Sequence, residues 1–207
     1  MQRVMLLNLM CCMALIVAAG AQVQKSISPV PLMRQIYVQD QRDRGVLISD
    51  DGGDVPPGSA PKVSTFVGEK LTANDTKRRE QVRSLLAAGQ VITAQDFHDA
   101  AFIFQHGQSA DDYLLAHILA VEAIVKGDDT SKWISAATLD RYLQSIGQKQ
   151  VFGTQYGITQ EPYNESLMPD TLRHSFCVPD LAQQKLNLEQ FKQGKYPEKI
   201  IPPGCVH

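Results

Sequence analysis

The chain has 207 residues, 43% of them hydrophobic, with 20 Lys and Arg against 22 Asp and Glu and a formal net charge of −2. So even a balance speaks against a nucleic-acid coat or a polybasic membrane binder. A single apolar run is long enough to consider as a membrane segment, which excludes a multi-span membrane protein.

That run, Val4 to Val17, follows Met1-Gln2-Arg3 and precedes Ala19-Gly20-Ala21. One positive charge, an apolar stretch shorter than the ~20 residues of a spanning helix, and an A-x-A site together predict a secretory signal peptide over 1–21. Cleavage would leave 186 of the 207 residues and shift the net charge from −2 to −3, because Arg3 is the leader's only charged side chain. Of the four cysteines, Cys177 and Cys205 remain. An even pair in an oxidising compartment predicts a disulfide. Closing its loop stabilises by about 3–4 kcal/mol on the chain-entropy account. No C-x-x-C or neighbouring ligand spacing favours a metal.

Residues 22–71 read as a polar stub, a helix from Pro29 that Gly45 stops, and a Gly/Pro-rich loop. The loop's Asp50-Asp51-Gly52-Gly53-Asp54 run resembles a calcium loop superficially. Val55 stands where the EF-hand glycine belongs and Pro61 where the closing Glu belongs, so a solvated loop is expected.

Residues 72–156 read as a helical core. A helix from Asp75 to Ala88 is expected, with Asn74 as its cap. Three more follow, opened by Thr93, Ser109 and Ser131, and the stops fall at Gly107, Gly127 and Gly147. The repeated Ser/Thr start and Gly finish predicts antiparallel αα-hairpins and an all-α fold. The helix after Ser109 is apolar nearly all round and is expected at the centre, with Leu115, Ile118, Leu119 and Val121 shielded.

Residues 157–207 are less regular. A loop expected from Gln148 to Pro169 reaches into them, and its Phe152, Tyr156 and Tyr163 should pack it onto the helices. A short helix is expected near 170–175 and a last one from Pro179 to about Gln193, with Leu181, Leu188 and Phe191 on its apolar side. The tail is expected to be tied back by the disulfide.

Standard catalytic signatures, such as H-E-x-x-H, G-x-S-x-G, a Walker loop or a dinucleotide fingerprint, do not occur in the sequence. The remaining argument is positional. In an antiparallel hairpin, His117 lies level with Asp140 and Arg141 on the next helix and near His98 on the previous one. A second polar level gathers Gln105 and His106 with Asp111 and the Phe152-Gly153-Thr154-Gln155 loop. Taken singly, each has a plainer reading. His117 is a hydrogen-bonded core histidine, His98 a surface residue, His106 a helix-end residue, Asp140 and Arg141 structural ion-pair partners, and 40–44 a solvated helix face.

Four short words also occur together: Asp40-Gln41 with Arg44, Gln105-His106-Gly107, Thr138-Leu139-Asp140-Arg141, and Gly153-Thr154-Gln155. In this combination, from about residue 32 to 156, the chain resembles a family of bacterial exported proteins of unknown function. The resemblance implies no activity and no cofactor. It points to Asp40, Gln41, Arg44, Gln105, Arg141, Thr154 and Gln155 as ligand-binding candidates. The helices after Thr93 also resemble one tetratricopeptide or Sel1-like pair, as an architectural analogy.

The expectation is a secreted or periplasmic binding or interaction module whose partner is an unknown ligand or envelope protein, with no nucleic acid and no membrane span after cleavage. The alternative is a hydrolase using His106 or His117 as acid/base with Asp140 orienting the ring.

Overall fold

The structure is a computed structural model that describes residues 31–46, 48–49, 68–156 and 159–195, together with Pro202 and Cys205. The expected signal peptide and the Asp50-Asp51 run lie outside the described residues. Among the described residues the architecture is all-α, with seven helices: α1 Leu32–Asp43, α2 Glu69–Ala87, α3 Ala94–Gln105, α4 Ala110–Val125, α5 Ser131–Ser145, α6 Asp170–Ser175 and α7 Leu181–Lys192. No helix among them is long and apolar enough to cross a membrane.

Local chemistry sets the helix starts. Thr93 accepts from the Asp96 amide while the Asp96 carboxylate accepts from the Thr93 amide, a reciprocal capping box. Ser109 caps α4 through the Asp112 amide, and Asp180 caps α7 through the Gln183 amide. Two starts differ from expectation. Asn74 lies inside α2, which begins a turn and a half earlier at Glu69, and its side chain donates to Asp43 instead of capping. α5 has no side-chain cap from Ser131; the Asp128 carboxylate accepts from the Thr130 amide and the Ser131 hydroxyl.

The helices pack as hairpins, and the central place belongs to α3, which touches α1, α2, α4 and α5. Ala100 and Ala101 of α3 and Ala116, Ala120 and Ala123 of α4 are fully buried. Their small side chains let the two backbones approach closely. This settles which side of α4 faces inward, and it corrects the expectation of an all-round shielded helix. Leu119 is 3% exposed, yet Ile118 is 54%, Val121 41% and Val125 74% exposed. An all-apolar helix gives its hydrophobic pattern no direction; here the alanine stripe supplies it.

The C-terminal segment is held by side-chain amides. The Gln150 amide donates to the carbonyls of Gln155 and Gln160. Gln160 donates to the Gly153 carbonyl at 2.6 Å, and Gln184 donates to the carbonyls of Phe152 and Pro179 at 2.9 and 2.8 Å. Phe152, Val178 and Ala136 form a small apolar cluster beneath, and Tyr156 stacks on Phe191. The apolar side expected for α7 is the correct face, but its buried centre is Gln184 and Asn187. Cys177 and Cys205 are disulfide-bonded, with Cα atoms 5.7 Å apart.

Candidate functional site

The run from Asp40 to Arg44, expected as a solvated face, is instead the root of a buried ion network. Asp40 and Gln41 are both buried where α1 packs on α2 and α3. Arg44, one turn beyond Asp40, donates to its carboxylate at 2.6 Å and to Asp75 of α2 at 2.7 Å. Arg78 donates to Asp75 at 3.2 Å and pairs with Asp43. Arg79 reaches over to donate to the His106 carbonyl at 2.9 Å, and Arg83 pairs with Asp112 at 2.6 Å. A solvated reading failed because helix 69–87 carries the complementary charges on the face turned toward α1.

His106 closes α3 against this network. Its Nδ1 lies 3.3 Å from Asp40 Oδ2, within ion-pair distance but off line for a hydrogen bond. Burial pulls the imidazole pKa below its ordinary value, and the Asp40 carboxylate opposes that only in part. The ring is therefore neutral at neutral pH. Its Nε2 has no hydrogen-bond partner among the described residues, nor has the side-chain amide of Gln105 beside it. Gly107 is required next: a Cβ there would overlap the Asp112 side chain. The Tyr113 hydroxyl donates to the Gly107 carbonyl at 2.8 Å, fixing the turn.

Arg141 enters from α5. Its Nη1 donates to the Gln105 carbonyl at 3.1 Å, its Nε is buried with no partner, and its guanidinium lies 5.9 Å from the Tyr113 ring centre. Asp140, its neighbour, does not pair with it. The Asp140 carboxylate accepts from the amides of Val151 (2.7 Å), Phe152 (3.0 Å) and Thr154 (2.9 Å) and from the Thr154 hydroxyl (2.8 Å). Burial pushes its carboxyl pKa up against those bonds. Asp140 is thus the anchor of the Gly153-Thr154-Gln155 loop. Gln155 lies along α5 and donates to the Ala137 carbonyl at 3.1 Å, one turn before Arg141. Gly153 has φ +77°, and a Cβ there would collide with Gln184 and Tyr163.

The expected pairing of His117 with Asp140 does not form. His117 Nδ1 bonds the Ser135 carbonyl at 2.9 Å, more than a turn away from Asp140 along α5. The Asp128–Thr130 segment folds back into a capped turn and adds little height, which shifts the register of the hairpin. His98 is not at the surface. It is buried, 2.8 Å from the Ser131 hydroxyl and 3.1 Å from Asp128. Burial pushes Asp128 up, but hydrogen bonds from His98, Thr130 and Ser131 outweigh it and hold the carboxyl below its usual range.

Of the candidates, Asp40, Gln41, Arg44 and His106 come together, and Arg141 joins them through Gln105. Asp140, Thr154 and Gln155 form a unit beside them, and His117 stands apart. Sequence reasoning missed Asp75, Arg78, Arg79 and Tyr113. The Asp75-to-Arg78 spacing of three on one helix was a usable signal. A cleft of about 370 Å³ between α1 and α2, lined by Gln39, Arg42, Asp43, Asn74, Lys77, Arg78 and Gln81, shares Asp43 and Arg78 with the network. Among the described residues no three His, Cys, Asp or Glu side chains are placed to hold a metal ion. The chain matches no family model, no curated protein and no solved structure.

Proposed function

We propose that the protein is an exported binding module that holds a small polar ligand at the α3–α4 turn. One observation carries this reading. His106 is a neutral, largely buried imidazole whose Nε2 is unspent, beside the equally unspent amide of Gln105. Neither group belongs to the buried polar atoms that lack a partner, so both reach solvent, and polar groups left open to solvent at a rigid turn are suited to a ligand. The disulfide supports an oxidising, extracellular or periplasmic location, as do the signal-like leader and the resemblance to exported bacterial proteins.

A second reading is a hydrolase in which His106 is the acid/base. It is favoured by the 3.3 Å approach of Asp40 to Nδ1, which puts Asp40 in the orienting role expected of Asp140. Catalytic hydrogen bonds are commonly long or misaligned before substrate binds.

The test compares His106→Gln with His117→Gln for thermal stability and for binding across a metabolite set. We expect His106→Gln to lose binding with stability kept at neutral pH, and His117→Gln to lose stability alone. Binding unchanged in His106→Gln would defeat the proposal. The folded-state pKa of His106 lies below its unfolded value of 6.5. The unfolded chain therefore takes up that proton first, and wild-type stability falls as pH drops below about 6.5. His106→Gln removes this component, which pH-dependent melting would reveal.

A further inference from the structure

Arg141 differs from five other arginines of the helical bundle in what faces it; a sixth, Arg42, donates to the Ile48 carbonyl. Arg34, Arg44, Arg78, Arg79 and Arg83 each lie within 4 Å of an aspartate, at 2.5 Å for Arg34 with Asp99 and 3.6 Å for Arg79 with Asp112. Arg141 has no carboxylate within that distance among the described residues, and its one hydrogen bond goes to the Gln105 carbonyl. The sequence explains why. One turn to either side on α5 stand Ala137, Thr138, Gln144 and Ser145, none of them acidic. Asp140 is adjacent, but its two oxygens are taken by the Val151–Thr154 loop. Taking a guanidinium out of water without a counter-charge is costly, and burial here pushes the Arg141 pKa down, against the pull of Tyr113.

Two of its nitrogens are unspent. Nε is buried without a partner, and Nη2 has none among the described residues. These two lie on one edge of the guanidinium plane, the edge that receives two oxygens of a carboxylate or phosphate in parallel. Nη1 of the same arginine is fastened to the carbonyl of Gln105, which holds the guanidinium at the end of α3 that carries His106 and leaves the Nε–Nη2 edge outside that bond.

We infer that Arg141 is the missing half of an ion pair whose other half is the ligand, a small molecule bearing a carboxylate or phosphate oxyanion. This deepens the reading of the α3–α4 turn as a binding site and rests on it. Arg141 supplies charge and a two-pronged contact, Gln105 a neutral donor, and neutral His106 a hydrogen-bond partner that does not compete for the anion.

The experiment uses the full mature chain and two probes, inorganic phosphate and acetate, at constant ionic strength held with chloride. The Arg141 Nε–H resonance, identified by its absence in Arg141→Lys, should shift saturably with one probe or both; the probe with the lower saturation point identifies the oxyanion class. Arg141→Gln, titrated through the backbone amide resonances of Gln105 to Gly107, should weaken that binding by about 10- to 100-fold, the range for loss of a charge-assisted contact. No saturable shift in wild type with either probe would overturn the inference, as would undiminished binding in Arg141→Gln. The wild-type titration decides even where Arg141→Gln does not fold. A site that fails this titration but loses a neutral metabolite in His106→Gln refutes the oxyanion alone and leaves the binding module standing.

Discussion

The helical half from α1 to α5 and the segment from Gln148 to Lys195 both bury many polar groups, but of different kinds. The first buries ionised ones: Asp40, Asp75, Arg78, Arg79, Asp99 and Asp112. Asp99 shows the strain this brings, since burial raises its carboxyl to about 6 although Arg34 sits 2.5 Å away. The second buries one charge, Arg173, and otherwise mostly neutral amides, Gln150, Gln160, Gln184 and Asn187, aimed largely at backbone carbonyls. A helix satisfies its own backbone, so its buried side chains are free to pair with one another across helices. An irregular segment leaves carbonyls and amides open, and side-chain amides, with a donor and an acceptor at one end, close them. The charged half therefore holds the candidate site, and the amide half fixes the loop that braces it.

If the apolar seam between α3 and its neighbours supplies most of the cohesion, the largest loss follows from truncating Phe104, which is fully buried at the end of α3. Phe104→Ala should cost about 3–5 kcal/mol in denaturant unfolding. A cost under ~1 kcal/mol would show that the charged network, not this seam, carries the half. Replacing Cys177 and Cys205 by Ser should cost about 3–4 kcal/mol through loop closure, read as a lower unfolding midpoint for the non-reduced protein only.

The amide half is tested by Gln184→Ala. It strands the Pro179 carbonyl, leaves the Phe152 carbonyl to the Tyr163 hydroxyl alone, and removes the second acceptor of that hydroxyl. Each buried group left unsatisfied costs about 1–3 kcal/mol. Hydrogen exchange should quicken first at Phe152 and Thr154, whose amides bond Asp140 in the same loop. Uniform loss of protection across α3 and α4 would mean that the two regions unfold as one.

What the sequence made legible follows from where periodicity carries information. Thr93, Ser109 and the glycines that stop α3 to α5 mark helix ends through local bonds, and those ends are where they were expected. The disulfide was legible from parity and compartment. The amide scaffold was not, because Gln150 and Gln184 are 34 positions apart and meet only through Gly153 and its surroundings. At the site, the short polar words named Asp40, His106 and Arg141, and the fold brings these three to the end of α3. The pairing of His117 with Asp140 failed because the level argument assumed a symmetric α4–α5 turn, which the Asp128 turn is not, and such an argument also leaves the rotation of each helix about its axis open. The same ambiguity hid the orientation of α4.

That orientation sets the smallest effect and the sharpest test, since Ile118 and Leu119 are chain neighbours of nearly equal volume. Successive helix residues point about 100° apart. Leu119 falls on the stripe with Ala116, Ala120 and Ala123, and Ile118 falls outside it. Leu119→Ala should therefore open a cavity and cost about 2–5 kcal/mol, whereas Ile118→Ala removes a side chain already 54% exposed and should stay within about 0.5 kcal/mol. Thermal unfolding of the two variants side by side reads the helix rotation directly. Equal costs would place both residues in the interior, and a larger cost for Ile118→Ala would mean that α4 faces its neighbours with the stripe of Ile118, Val121 and Val125 rather than with its alanines. A stabilising Ile118→Ala, by contrast, would fit the orientation described, because losing a half-exposed apolar side chain spares little burial while alanine is the better helix former.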